Sequence, residues 1–180
     1  VLLTTTSGLY RYDINDIVEV TGFYHKTPLI CFIRKGRDMT NITGEKMHAN
    51  HFLFAIDETR RQFSLSVEQF RVMPDFEAGR YAIYMELNVD NIADEILKNQ
   101  IIPLIDESLS KVNVEYAEKR KSKRLKLPCL HLMRRGWAEE ECKKFMQMGK
   151  RDIQYKWRVL CPEPTIEDTE AIVKTIKSEQ

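Results

Sequence analysis

The residues best suited to chemistry crowd the ends of two apolar runs near the start of the chain. Ile17-Val18-Glu19-Val20-Thr21-Gly22-Phe23 is the first run and Leu29-Ile30-Cys31-Phe32-Ile33 the second. Asp13 and Asp16 precede the first, and Arg34, Lys35, Arg37 and Asp38 follow the second. A carboxylate is purely a hydrogen-bond acceptor, which suits sugar hydroxyls. An arginine presents a planar fork of donors that matches phosphate or ribose oxygens. Two β-prone runs with such groups at their ends suggest a nucleotide site. The ordinary structural readings stay open beside it: Asp16 as a turn aspartate, and the basic group as a solvated cluster blunting a strand end.

These groups need a scaffold, and the pattern of apolar residues predicts one. Residues 1–6 read as a strand and Ser7-Gly8 as a turn. The two runs above follow as strands, with a loop over 24–28 where Pro28 removes a ladder donor. A helix is expected from Met47, on the spacing of Phe52, Ala55, Ile56 and Phe63. Residues 64–73 and 81–87 read as a hairpin of strands, with Pro74-Asp75 as the stop between them. Residues 88–91 offer a cap for a helix from about Ile92, whose apolar side is Leu97, Ile101, Leu104, Ile105 and Leu109 and which Pro103 kinks or divides. It is expected to reach Tyr116. A basic exposed connector over 118–126 leads to a strand at 128–133, a helix at 137–148, an extended stretch at 149–160 and a last helix over 165–176. From Leu29 onward the order is a split β-α-β-β-α-β arrangement with an extra C-terminal helix. It predicts an α+β fold with a mixed, mostly antiparallel sheet.

Composition sets the bounds. The chain has 180 residues, 43% hydrophobic and 31% charged, with a net charge of +1. That length buries about 70% of the unfolded chain's surface, so a core needs no staples. A near-neutral total advertises neither nucleic acid nor membrane, and no run approaches the ~18 apolar residues of a spanning helix. Four cysteines lack C-x-x-C spacing; Cys31 and Cys129 sit in apolar runs and are expected as buried free thiols in a reducing cytosol. The four histidines, His25, His48, His51 and His131, are not spaced as a metal set. The run from Lys119 to Lys126 reads as a solvated loop rather than a nucleic-acid patch. The chain starts without methionine, with the character of a strand, and reads as a piece of a longer protein.

In order and spacing these features resemble the adenylate-forming enzymes, most closely the auxin-responsive acyl-acid amido synthetases of the Gretchen Hagen family and their bacterial relatives. Tyr12-Asp13-Ile14-Asn15-Asp16 stands where that family has Tyr-Arg-x-Gly-Asp, with Asn15 for the glycine and Asp13 for the arginine. The resemblance implies that Asp16 holds the ATP ribose, with Tyr12 beside it, and that Arg34 contacts ribose or phosphate. It makes Gly36, Arg37 and Asp38 a hinge, where glycine absorbs backbone rotation. Gly149 to Lys156 resembles the family's Gly-x-x-x-x-Gln-Tyr-Lys, one residue shorter before the arginine that follows. By that likeness Lys156 is the lysine of the moving domain, a cation placed between carboxylate and α-phosphate oxygens as pyrophosphate leaves. Lys46 is a substrate or phosphate contact on the same basis, or a helix-start lysine in water. Glu45 before it would serve the helix N-terminus electrostatically.

The implied organisation is residues 1–34 as closing strands of a large adenylation domain and 35–180 as a mobile cap. The implied protein is an ATP-dependent ligase, with Mg²⁺ carried by the ATP. It activates a carboxylic acid as acyl-AMP and passes it to an amine such as an amino acid. Its partners are those two small molecules and the rest of the same polypeptide, in the cytoplasm, and the 180 residues alone are expected to be inactive. Two alternatives remain at this point: delivery of the acyl group to a thiol carrier, and a stand-alone ferredoxin-like binding module.

Overall fold

The computed structural model describes residues 1–14, 16–35, 39–88, 92–147 and 157–178, with the backbone alone for 33–35. The chain opens with a two-stranded ribbon of β1 (Leu2–Leu3) and β2 (Tyr12–Asp13). The two apolar runs form the hairpin β3 (Asp16–Tyr24) and β4 (Thr27–Lys35). Its turn is shorter than expected: Tyr24 pairs with Thr27, and only His25 and Lys26 lie between. His25 takes a left-handed φ of 54°, as such two-residue turns require. Pro28 therefore lies inside β4, opposite Phe23. A second short ribbon, β5 (Met39–Thr40) with β6 (Met47–His48), leads into helix α1 (Ala49–Phe63).

The main sheet starts with β7 (Val67–Asp75) and β8 (Arg80–Leu87), an antiparallel pair as expected. β7 runs through Pro74, which a strand at the sheet's border tolerates. A helical layer follows: α2 (Asp94–Ile96), a π-helical turn over Leu97–Ile101, α3 (Ile102–Val112) and α4 (Val114–Lys121). Of the expected cap segment at 88–91, residues 89–91 lie outside the described residues; Ala93 holds the cap position, with no side-chain bond. Pro103 divides the helix as expected. It stands at the start of α3, just after the turn in which the Ile102 N–H donates to the Leu97 carbonyl. Asn113 interrupts the helix with an extended backbone, φ −140° and ψ 106°, so α3 and α4 are separate.

The sheet continues with β9 (Cys129–Met133), parallel to β8. Helix α5 (Trp137–Gln147) follows, then a short α6 (Ile166–Glu170) and β10 (Ile172–Ile176), antiparallel to β9. The spatial order is β10-β9-β8-β7. The α+β class and the mixed, mostly antiparallel sheet are as expected, as is the order of elements from Leu29 to α5. Two assignments change. Residues 172–176, expected as helix, are a strand, and that strand completes the four-stranded sheet. β4, expected to open the split arrangement, pairs with β3 in a sheet of two.

β8 is the spine. Tyr81 to Leu87 are all buried, because both faces of the sheet are covered. Tyr81, Ile83, Met85 and Leu87 alternate onto one face, where they pack with Phe52, Ile56, Leu97, Ile101, Ile105 and Tyr116 of the helical layer. Ala82 and Tyr84 take the other face, with Met73, Cys129, Met133, Trp137 and Ala171. The β3–β4 hairpin lies outside this core: Val20, Phe23, Tyr24, Leu29, Ile30 and Phe32 are all at least half exposed. Cys31 is accordingly exposed, against expectation, while Cys129 is buried as expected.

Candidate functional site

The hairpin brings the first group of candidates to one end. Asp16 opens β3 and stands directly across from Lys35; Ile17 stands across from Arg34. The turn at His25-Lys26 is at the opposite end, so the antiparallel fold alone carries residues 16 and 34–35 together. A register shift between Ile17 and Val18 disturbs the ladder beside this mouth, the kind of irregularity that re-aims side chains. Asp16 is half-buried, and Tyr12, on β2 just before it, is mostly exposed. The mouth thus sets an acceptor carboxylate across the ladder from two positions that carry cationic residues. Gly36, Arg37, Asp38 and Lys156 lie outside the described residues.

Lys46 belongs to another neighbourhood. Its N–H donates to Glu115 (3.0 Å) and its carbonyl accepts from the Asn113 side chain (2.9 Å), so its backbone is fastened to α4 while its side chain is exposed. Glu45, beside it, does not serve a helix end. It is fully buried and accepts from the N–H groups of Ile42 (2.8 Å) and Thr43 (2.9 Å), the Thr43 hydroxyl (2.8 Å) and the Tyr81 hydroxyl. Burial pushes its acidity down, but these donors outweigh burial and hold the carboxyl below its ordinary range. Burial and the Glu45 charge together raise Tyr81 far above the ordinary phenol. His51 lies in the first turn of α1, and His48 is not on the helix but is the extended residue that caps it: the His48 N–H donates to His51 Nδ1 (3.3 Å).

A second cluster was not singled out by sequence reasoning. Arg71, on β7, is 4% exposed. Its Nη1 donates to Asp168 of α6 (3.0 Å) and its Nη2 to Glu141 of α5 (2.7 Å). Its Nε donates to the Arg158 carbonyl (3.3 Å), and its guanidinium lies 4.4 Å from the Trp157 ring centre and 5.5 Å from that of Trp137. Trp157 and the residues after it are fastened along the outer edge of β7. The Trp157 indole N–H donates to the Phe70 carbonyl (2.6 Å), the Val72 N–H to Val159 (2.7 Å), and the Cys161 N–H to the Val72 carbonyl (3.0 Å). The sequence signal was present: one arginine inside Val67–Asp75, a strand otherwise rich in apolar residues that pack on both faces.

The structure is thus a four-stranded sheet backed by helices, preceded by a hairpin whose mouth sets a carboxylate across from cationic positions. The GH3 family C-terminal domain matches residues 50–165 and the GH3 family central domain residues 1–35; the chain belongs to the GH3 (Gretchen Hagen) family. Its curated relatives are acyl-acid amido synthetases. It is 29% identical over 164 residues to jasmonoyl–L-amino acid synthetase GH3.5 of Oryza sativa subsp. japonica, covering 87% of this chain and 27% of that protein. It is 27% identical over 166 residues to indole-3-acetic acid-amido synthetase GH3.15 of Arabidopsis thaliana, covering 86% and 27%. The chain thus spans about a quarter of the length of these relatives. The solved structure of the GH3.15 acyl acid amido synthetase superposes with a TM-score of 0.67 over 99% of this chain and 33% of that one, at 24% identity, a likeness of fold.

Proposed function

We propose that this chain works as the C-terminal part of an ATP-dependent ligase that activates a carboxylic acid as acyl-AMP and transfers the acyl group to an amine, such as an amino acid. The observation that carries the reading is the hairpin mouth, where Asp16 opposes Lys35 beside Arg34, in a chain whose family models match on both sides of residue 36. In this reading residues 1–34 close the large adenylation domain and 35–180 form the mobile cap. The exposed apolar side chains of β3 and β4 support that division. A two-stranded ribbon with this much bare apolar surface is marginal on its own, and it suits an element that packs on further chain. An amine acceptor is favoured over a thiol carrier because the relatives' names specify a jasmonoyl–L-amino acid synthetase and an indole-3-acetic acid-amido synthetase.

The roles follow from residue chemistry. Asp16 accepts from the ribose hydroxyls, with Tyr12 alongside, and Arg34 donates to ribose or phosphate oxygens. ATP supplies the pyrophosphate leaving group, and Mg²⁺ arrives on its phosphates; among the described residues no group of three His, Cys, Asp or Glu is placed to hold a metal. Lys156 places a cation between the carboxylate and the α-phosphate, where two anions meet in the transition state. Gly36, Arg37 and Asp38 let the cap turn so that Lys156 reaches the site and then leaves it. Lys46, with its backbone anchored and its side chain exposed, is available to a substrate carboxylate or phosphate. No helix among the described residues is long and apolar enough to cross a membrane, and a cytoplasmic enzyme is the reading we adopt.

The test is ATP–pyrophosphate exchange by the full-length protein across a panel of carboxylic acids, followed by product analysis with amines and with thiols. Lys156→Ala is expected to lower exchange by about 10²-fold or more, the scale of losing one preorganised charge. Asp16→Ala is expected to act mainly through the KM for ATP. Exchange by the isolated 180 residues, or undiminished exchange in Lys156→Ala, overturns the assignment of these roles.

A further inference from the structure

We infer that the basic turn after α4, with Lys119, Lys121, Lys123, Arg124 and Lys126, is an electrostatic collecting surface that gathers the phosphates of ATP beside Lys46. This rests on the ligase reading above, and it concerns a run of residues to which that reading gives no role. Lys121, Lys123, Arg124 and Lys126 are exposed, as expected of the run, yet its backbone is fastened throughout. The Lys119 carbonyl accepts from the Arg124 N–H (3.1 Å), the Leu125 N–H (3.2 Å) and the Ser122 hydroxyl (3.2 Å). Lys123 turns the chain with a left-handed φ of 58°. Leu125 is fully buried, Arg120 donates to its carbonyl (2.6 Å), and the Lys126 N–H donates to the Gly79 carbonyl (2.8 Å). The turn thus folds back on Lys119, whose Nζ lies 3.9 Å from where a side chain on Gly44 would begin, two residues before Lys46.

The physical case is that these cations are left unneutralised. Neither Lys46 nor any of the five forms an ion pair among the described residues. Elsewhere on the surface the opposite holds: Lys111 pairs with Glu107, Arg134 with Glu140, Lys143 with Glu139 and Lys174 with Asp94. In a chain of 28 basic and 27 acidic residues, that is a strong local excess of one sign. Like charges fixed on one turn repel, so folding gains nothing from them. What they supply is a field, which raises the local concentration of opposite charge within about 8 Å at physiological ionic strength. Lys46 falls within that reach: its N–H is bonded to Glu115 (3.0 Å), one helical turn before Lys119, a separation of about 6 Å along α4. Both substrates of the adenylation step are anions, and ATP, even with Mg²⁺, carries more negative charge than a monocarboxylate. The attraction scales with that charge, so ATP is the ligand the turn serves most.

The test is ATP–pyrophosphate exchange by the full-length protein in which Lys121→Gln, Lys123→Gln, Arg124→Gln and Lys126→Gln are combined. At low ionic strength the variant is expected to raise the KM for ATP about three- to tenfold, with kcat within about twofold and the KM for the acid moved less than that for ATP. Added salt is expected to weaken the wild type toward the variant, the two converging near ~0.5 M, where screening shortens the field to about 4 Å. A merely structural role leaves a gap that salt does not erase and lowers the urea midpoint, whereas removing like charges is expected to leave that midpoint unchanged or raise it. Equal KM values for ATP at low salt, or a gap that persists at high salt, overturn the collecting surface while leaving the ligase reading intact. A wild-type protein that exchanges with no acid overturns the ligase reading and the collecting surface with it. Should the fourfold variant fail to fold by circular dichroism, Lys121→Gln/Arg124→Gln is expected to give a smaller shift in the same direction and is judged by the same salt series.

Discussion

At the scale of single residues, buried polar groups do more of the positioning than the exposed charges that first draw attention. Glu45 gathers four donors and pins the 42–45 loop against β8 through Tyr81. A buried carboxylate deprived of one donor bears the desolvation cost of the gap. Tyr81→Phe is therefore expected to destabilise the fold by about 1–3 kcal/mol although it removes one oxygen. The measurement is urea unfolding; an unchanged midpoint would show that the hydroxyl is dispensable. Tyr116 sits in a similar arrangement, its hydroxyl donating to Asp106 (2.6 Å), which also pairs with Arg120 (2.7 Å). That pair lies within the helical layer and ties α3 to α4.

At the scale of elements, Asn113 shows how one side chain ends one helix and begins the next. Its extended backbone stops α3, and its side-chain oxygen accepts from the Tyr116 N–H (2.8 Å), capping α4. Its amide donates to the Lys46 carbonyl, joining α4 to the β6 side of the molecule. Asn113→Ala loses both and is expected to cost about 2 kcal/mol. Asn113→Asp keeps the cap acceptor, so it is expected to fall between alanine and wild type. Equal losses for both variants, measured by thermal unfolding, would assign the effect to the amide donor instead. α6 is a parallel case: Thr165 accepts from the Asp168 N–H (3.1 Å) and Asp168 from the Thr165 N–H (2.9 Å), which explains a stable helix of five residues. The reciprocal cap also aims Asp168 at Arg71.

At the scale of the whole molecule, the buried titrating groups give the fold a direction of pH response. Burial lowers the His131 pKa below its ordinary 6.5, with Lys177 adding to the effect and Asp75 opposing it. Burial, then the charge of His48, lowers that of His51. Glu45 is lowered from 4.5 by its donors against burial. A group whose folded pKa lies below its unfolded value stabilises the fold above the unfolded value and loses that contribution as pH falls through the folded one. On the acid side, stability is thus expected to hold down to about pH 6.5, to decline first through the histidines and then, below about pH 4.5, through Glu45. A His51→Gln/His131→Gln double variant is expected to flatten the melting temperature between pH 6.5 and 5; a wild-type curve already flat there would contradict this.

Much of this was written in local pattern. The alternation of Tyr81 to Leu87 and the helical spacing of Leu97, Ile101, Ile105 and Leu109 come from short-range periodicity, which the chain carries wherever it packs. The meeting of Asp16 with Arg34 and Lys35 was legible for the same reason, since a short turn between two strands brings their outer ends together. What required the tertiary structure was every decision made by distant neighbours. Residues 172–176 are a strand because the free edge of β9 pairs with them, and no local preference announces a vacant edge. Cys31 is exposed because, among the described residues, β3 and β4 form a sheet of two outside the core. Glu45 and Arg71 are buried only because Tyr81, Glu141, Asp168 and Trp157 surround them, since burying a charge depends on partners supplied from many residues away.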